Sequence, residues 1–329
     1  MTADTVGGVW RYAVELVRAL DADVTLATMG APPTEEQRAE APCRLEESSF
    51  ALEWMPDPWD DVARAGEWLL ELADDVRPDV VHLNGFVHAA LPWRAPVLVA
   101  AHSDVATWWE AVRGGTPPPE WDRYRAAVQA GLAAADAVAA PTAAMRDALG
   151  RHYELAAGCY VIPNGRSPLP QRPKEPYVAA AGRFWDEAKG LDAIQRVAPT
   201  LEWPVRVAGA EGPVRASEVE ELVARAAVFV APARYEPFGL AALEAGTAAC
   251  ALVLGDVPSL REVWGDAALF VPPGDDDALR ASLARLIADD ALRAELGSRA
   301  RDRAARYTPE AMARRYRAVY ARLAVGVAA

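Results

Sequence analysis

Lysine is almost missing from this chain: it occurs at Lys174 and Lys189 only, and arginine supplies nearly all of the positive charge. The formal net charge is −13, so the polycationic surface that drives sequence-independent binding to nucleic acid is lacking. No nucleic-acid partner is expected, and an anionic ligand would need a local cationic pocket. Cys43, Cys159 and Cys250 are odd in number, widely separated and without CxxC spacing, so neither a disulfide framework nor a zinc site is indicated. A reducing, cytoplasmic setting fits this usage. No apolar run reaches the roughly 18 residues that span a bilayer, and the first residues do not join a basic segment to an apolar one. The expected protein is soluble, with peripheral membrane contact left open. No GxGxxG is present, which argues against a nicotinamide-dependent dehydrogenase.

What is present is an ordinary globular composition, 52% hydrophobic and 25% charged, over 329 residues. That length makes two domains the natural expectation. Short apolar runs alternate with segments of helical period, the pattern of doubly wound α/β folds with parallel sheets. In the first half, strands are expected at 24–28, 79–83, 96–101, 137–140 and 159–162. A helix over 9–20 gathers Val9, Ala13, Leu16, Val17 and Leu20 on one face. "PNGRSPLPQRPKEP" then brings five prolines and no apolar period, and reads as an interdomain linker. Strands resume at 177–181, 205–208, 228–231, 251–254 and 268–271. Helices are expected at 190–198, 217–226, 239–246, 259–264, 276–287 and 290–305. Thr308-Pro309-Glu310 is a helix start and launches a last amphipathic helix to about residue 323.

Ligands of open α/β sheets bind beyond the carboxyl ends of the strands, so residues just after each strand carry the information. Val6-Gly7-Gly8 could aim free amides at a phosphate, with a bare turn as the competing reading. His102 ends the apolar run "PVLVAAHSD", where it either faces a ligand or is buried and caps the next turn. His82 reads as a packed core imidazole, His88 as part of a short apolar helix and His152 as a loop residue. In "AGRFWDEAKGL", Arg183 and Lys189 could converge on one dianionic group, or form an exposed salt-bridged loop. In "ARYEPFGLAALEAG", Glu236 precedes a helix start at Phe238-Gly239-Leu240, and Glu244 lies a little over two turns further on. The helix start offers amides and positive dipole to an anion, while the carboxylates can accept hydrogen bonds from hydroxyls of a sugar and a ribose. Asn164-Gly165 makes a turn at the domain junction, a structural hinge that could also line a cleft.

Taken together, "GGVWRYAVELVRAL", "HSD", "VIPNG", "AGRFWDEAKGL" and "EPFGLAALEAG", with its Glu-x7-Glu spacing, resemble a retaining glycosyltransferase of family 4. The resemblance covers nearly the whole chain. It implies the GT-B fold, α/β, in which two Rossmann-like doubly wound parallel-sheet domains face each other across a cleft. Residues 1–167 would bind the acceptor, residues 168–308 the nucleotide-sugar donor, and a helix at 309–329 would cross back to the first domain. Carried over, Glu244 holds the nucleotide ribose and Glu236 the donor sugar. Phe238, Gly239 and Leu240 contact sugar and phosphate, Arg183, Lys189 and Gly8 (beside Gly7) the pyrophosphate, and His102 the reacting sugar; Asn164 joins the donor-binding set. The implied reaction moves a hexose from a nucleotide-diphosphate sugar to a hydroxyl acceptor, which could be a glycan, a lipid or a small molecule. No cofactor and no metal are expected, and Asp275-Asp276-Asp277 reads as an acidic helix start rather than a metal-binding DxD. A GT-B phosphorylase or epimerase, or a non-catalytic nucleotide-sugar-binding protein, are the alternatives.

Two departures from the family pattern stand out. Met1–Asp4 supply at most a stub of the first strand, because the true start lies upstream or because the fold tolerates a clipped strand; weak N-terminal order or reduced stability is the expectation. The connection over 209–217 is short, which puts the base-binding part of the donor pocket in doubt.

Overall fold

The computed structural model describes residues 1–155, 158–210, 212 and 214–326. They form two compact units, one of Met1–Gly165 with Pro309–Ala329 and one of Arg166–Thr308. Among the described residues no helix is long and apolar enough to cross a membrane.

The first unit holds β1 (Thr2–Asp4), β2 (Thr25–Met29), β3 (Arg44–Glu47), β4 (Val81–Leu83), β5 (Val97–Ala100), β6 (Ala137–Ala140) and β7 (Cys159–Val161). Every pairing is parallel, in a sheet of order β1-β2-β3 and another of order β4-β5-β6-β7. Strands covered on both faces are apolar almost throughout, as β5 and β6 are. The clipped first strand does form: Thr2, Ala3 and Asp4 pair with Ala27, Thr28 and Met29. On its other side, a side chain joins it to β4. The backbone N–H of Asn84 donates to Thr2 Oγ1 at 2.9 Å, and Asn84 Nδ2 donates to the Thr2 carbonyl at 2.6 Å. The Gly8–Leu20 helix packs against the C-terminal helix Pro309–Gly326, where Tyr12, Tyr316, His82 and Tyr320 form one aromatic group.

The second unit holds β8 (Glu175–Ala181), β9 (Val205–Ala208), β10 (Ala226–Ala231), β11 (Ala251–Gly255) and β12 (Leu269–Val271) in one parallel sheet of order β12-β11-β10-β8-β9. Phe229, Leu252 and Leu254 pack on Leu243 and Trp264 on one face, while Val178, Val228 and Val253 pack on Leu279, Leu283 and Leu286 on the other. Trp264 is wholly buried, and a Cβ on Gly246 would sit 2.4 Å from its ring.

Two sequence readings need correction. The β3 strand has no expected counterpart, because Arg-Leu-Glu-Glu at a sheet edge carries charge instead of an apolar run. The proline-rich segment is no free linker at its start. Leu169 is buried, its N–H donates to Thr247 Oγ1 at 3.1 Å, and Gln171 Nε2 donates to the Thr247 carbonyl at 2.9 Å. Proline removes helical period without preventing burial, so period alone misjudged this stretch. In the short connection after β9, Glu211 and Pro213 lie outside the described residues.

Candidate active site

In the second unit the strand order reverses between β8 and β10, since β9 lies beyond β8 on one side and β11 beyond β10 on the other. The loops that leave these two strands therefore open at the position where α/β sheets bind ligands. After β8, Asp186 caps a short turn over Glu187–Lys189 by accepting from the Ala188 N–H at 3.0 Å. Gly190 ends the turn at φ 71°, and a Cβ there would meet the Pro232 carbonyl at 2.7 Å. That close approach needs glycine. The Arg234 N–H donates to the Ala188 carbonyl at 2.8 Å and stitches the two loops together.

The stitched loops bring Lys189 Nζ to 2.9 Å from Glu236 Oε2. Both side chains are mostly buried, at 17% and 24% exposure. The Ser259 hydroxyl donates to the Glu236 carbonyl and holds that backbone in place. The Leu240–Thr247 helix then starts on Gly239, at φ 91°, with no side chain capping its amides. Elsewhere Asp104, Thr142, Asp275 and Asp289 accept hydrogen bonds from the first-turn amides of their helices. The Leu240 helix start, like those on Gly7 and Gly190, thus leaves its first-turn amides without a side-chain cap at the positive end of a helix dipole. Arg183 precedes the turn on the first loop, with its guanidinium carbon 5.4 Å from the ring centre of Trp185, which is 65% exposed.

Glu244 differs from the sequence expectation. Its neighbours are not only apolar: Arg166 Nε donates to Glu244 Oε1 at 2.8 Å, and the same guanidinium reaches Glu220 Oε1 at 2.7 Å. Arg166 is 6% exposed and Glu244 9%. Sequence reasoning missed Arg166 because it stands in the proline-rich stretch, where no period marks a residue as buried. Asp275 caps its helix through the Ala278 N–H at 2.9 Å, and Asp276 pairs with Arg196.

In the first unit, the helix Gly8–Leu20 begins on Gly7, at φ 93°, again without a side-chain cap. His102 follows β5, and its Nε2 lies 2.9 Å from Asn84 Oδ1. Tyr12 meets the His102 ring edge-on, with centroids 4.4 Å apart. Burial pushes the His102 imidazole down to about 4. His102 does not cap the next turn; Asp104 does, accepting from the Ala106 N–H at 2.7 Å. His82 is a core imidazole held between Tyr12 and Tyr320, and burial keeps it well below the usual histidine range. His88 sits in a short 3-10 turn. His152 is the last residue of the Ala143–His152 helix, 2.9 Å from Glu110, and not a loop residue. Asn164 is 5% exposed, and the N–H of Gly165 points to Met312 Sδ at 3.2 Å.

The family model described as Glycosyltransferase Family 4 matches residues 6–168, and the one described as Glycosyl transferases group 1 matches residues 211–303. An O-antigen chain mannosyltransferase B of Escherichia coli is 34% identical over 122 residues, 37% of this chain but only 31% of that protein. An alpha-maltose-1-phosphate synthase of Mycolicibacterium smegmatis is 27% identical over 342 aligned positions, 86% of each chain. Among solved structures, a sucrose-phosphate synthase from Thermosynechococcus elongatus superposes with TM-score 0.78 at 19% identity, covering 95% of this chain and 92% of that one. Anabaena HepE in complex with UDP and glucose gives TM-score 0.76 at 15% identity, covering 97% and 99%. The two family models, side by side along two parallel-sheet units, show that the chain belongs to the family 4 glycosyltransferases and has the GT-B fold.

Proposed function

We propose that the protein is a retaining hexosyltransferase that moves a hexose from a nucleotide-diphosphate sugar to a hydroxyl of a glycan, lipid or small molecule. The observation that carries this reading is the pairing of Lys189 with Glu236 beside the uncapped helix start at Gly239, where the strand order reverses. In this reading the second unit takes the donor and the first unit the acceptor. Lys189, Arg183 and the amides near Phe238, Gly239 and Leu240 receive the diphosphate and the sugar. Glu236 accepts hydrogen bonds from sugar hydroxyls, and Glu244, held by Arg166, accepts from the ribose. In the first unit, Gly7 and Gly8 offer amides to the diphosphate, His102 meets the reacting sugar, and Asn164 belongs to the donor-binding set. The work is assigned to the cytoplasm.

The chemistry follows from charge. Breaking the anomeric bond leaves negative charge on the diphosphate and positive charge on the sugar ring. Fixed donors aimed at the leaving phosphate gain strength as that charge develops, so they lower the barrier without reorganising. Lysine supplies a compact charge and arginine a planar fork, which suit different oxygens of the same diphosphate. The acceptor hydroxyl attacks from the face that the phosphate leaves, and the phosphate takes its proton, so the anomeric configuration is kept. No cofactor enters this scheme, and the positive charge is assigned to Lys189, Arg183 and the helix-start amides instead of a metal.

The test is a screen of UDP- and GDP-sugars for protection against thermal unfolding, followed by transfer to candidate acceptors and assignment of the product anomer by NMR. A donor bound only by the folded state raises the apparent midpoint. An inverted product, or a trapped covalent glycosyl-enzyme, would overturn the mechanism; binding without transfer or hydrolysis would overturn the enzyme reading.

A further inference from the structure

Asn84 follows β4, the end strand of the four-stranded sheet, and reaches back to Thr2 in β1, the end strand of the three-stranded sheet. Its amide is clamped. The Thr2 carbonyl can only accept, and it lies 2.6 Å from Asn84 Nδ2. The Nδ2 end of the amide is thereby fixed on Thr2, and Oδ1 is left to face His102 Nε2 at 2.9 Å. Since Oδ1 can only accept, Nε2 must carry the proton, and the neutral ring is bare at Nδ1. Among the described residues Nδ1 has no hydrogen-bond partner.

The surroundings keep the ring neutral. Tyr12 lies on it from the Gly8–Leu20 helix, and from the β4 side it faces Asn84 and the neutral, buried His82. Burial alone depresses its protonation, with no carboxylate set against it. A neutral acceptor beside a sugar that gains positive charge is favourable, whereas an imidazolium there would oppose that charge.

We propose that Asn84 is a positioning residue that fixes His102 as its Nε2–H tautomer and presents the Nδ1 lone pair to a hydroxyl of the sugar being transferred. The proposal rests on the reading that His102 meets that sugar. Asn84 itself touches no substrate. It acts through the ring, as a partner that sets the tautomer of a histidine ligand does.

Side-chain 15N NMR of the full chain, labelled at histidine, reads the tautomer directly, with His102→Gln identifying the His102 signals. At pH 7 the expected pattern is a protonated Nε2 and an unprotonated Nδ1. Asn84→Asp places a carboxylate against the ring, so the His102 titration should move up from about 4 by at least one pH unit. With UDP-glucose or GDP-mannose, whichever is turned over, the same variant should lose about 10- to 100-fold in kcat with little change in donor KM. If Asn84→Asp does not fold, the wild-type spectrum still decides. An Nδ1–H tautomer in the wild type overturns the proposal, as does a His102 titration that Asn84→Asp leaves unmoved. Full-rate transfer by His102→Gln would instead overturn the sugar-contact reading, whatever the tautomer.

Discussion

Arg166 and Glu244 stand 78 positions apart in sequence, yet the Nε of one lies 2.8 Å from an oxygen of the other, deep in the second unit. The same guanidinium also holds Glu220. One arginine thus ties the first residues of the unit to two of its helices and fixes the carboxylate assigned to the ribose.

Removing Arg166 should leave the buried Glu244 carboxylate without its cation, beside Glu220, whose side chain is 31% exposed. Arg166→Leu is expected to destabilise the second unit by about 3–5 kcal/mol, the usual effect of breaking a buried ion pair. Arg166→Lys should recover only part of this, because an ammonium cannot reproduce the forked contact. Chemical denaturation reads the effect, and an unchanged midpoint for Arg166→Leu would show that the pair contributes nothing.

Lys189→Ala should lower kcat/KM for the donor by about 10²–10³, the range for loss of one donor to developing charge. Glu236→Gln keeps a hydrogen-bonding oxygen and should lose less. Added EDTA should leave turnover unchanged. Steady-state kinetics would count against the diphosphate assignment if Lys189→Ala and Arg183→Ala both retained wild-type values.

Gly239 occupies φ 91°, and an added Cβ would press on Leu260 Cδ2 at 3.0 Å. Gly239→Ala should therefore cost about 1–2 kcal/mol in backbone strain. Because the strain falls on the helix start, donor binding should weaken more than stability does. Calorimetric titration against thermal melts separates the two, and equal loss in both would deny the helix start its role.

Stability should fall as the pH drops from 6.5 toward 4. Above 6.5 His102 is neutral in both states; below it the unfolded chain takes a proton that the folded ring refuses until about pH 4. The shift corresponds to about 3 kcal/mol lost across that window. His82 and His88 are shifted in the same direction and add to the slope. Denaturation midpoints at pH 7 and 4.5 test this, with His102→Gln expected to flatten the decline.

Much of the fold was legible because parallel strands buried on both faces must be apolar nearly throughout, as the expected runs at 137–140 and 251–254 are, and both fall where strands form. The β3 strand escaped notice because an edge strand can be charged. Candidate residues were found by their place after strands, and the structure brings Lys189 to Glu236 as that rule suggests. The rule is silent on partners that arrive from elsewhere in the chain, and so Arg166 and Asn84 were not seen.

By itself, the order of apolar runs and glycines determined the element types, the two-part α/β organisation and the segments that stand at strand tips, since each depends on neighbours within a few positions. Which tips meet was decided only by tertiary structure. Strand order sets β8 beside β10, and side-chain contact between Thr2 and Asn84 links β1 to β4; these adjacencies pair lysine with glutamate and turn the Asn84 amide oxygen toward His102 Nε2. Contacts of that kind depend on distances in space between residues that local pattern leaves unrelated.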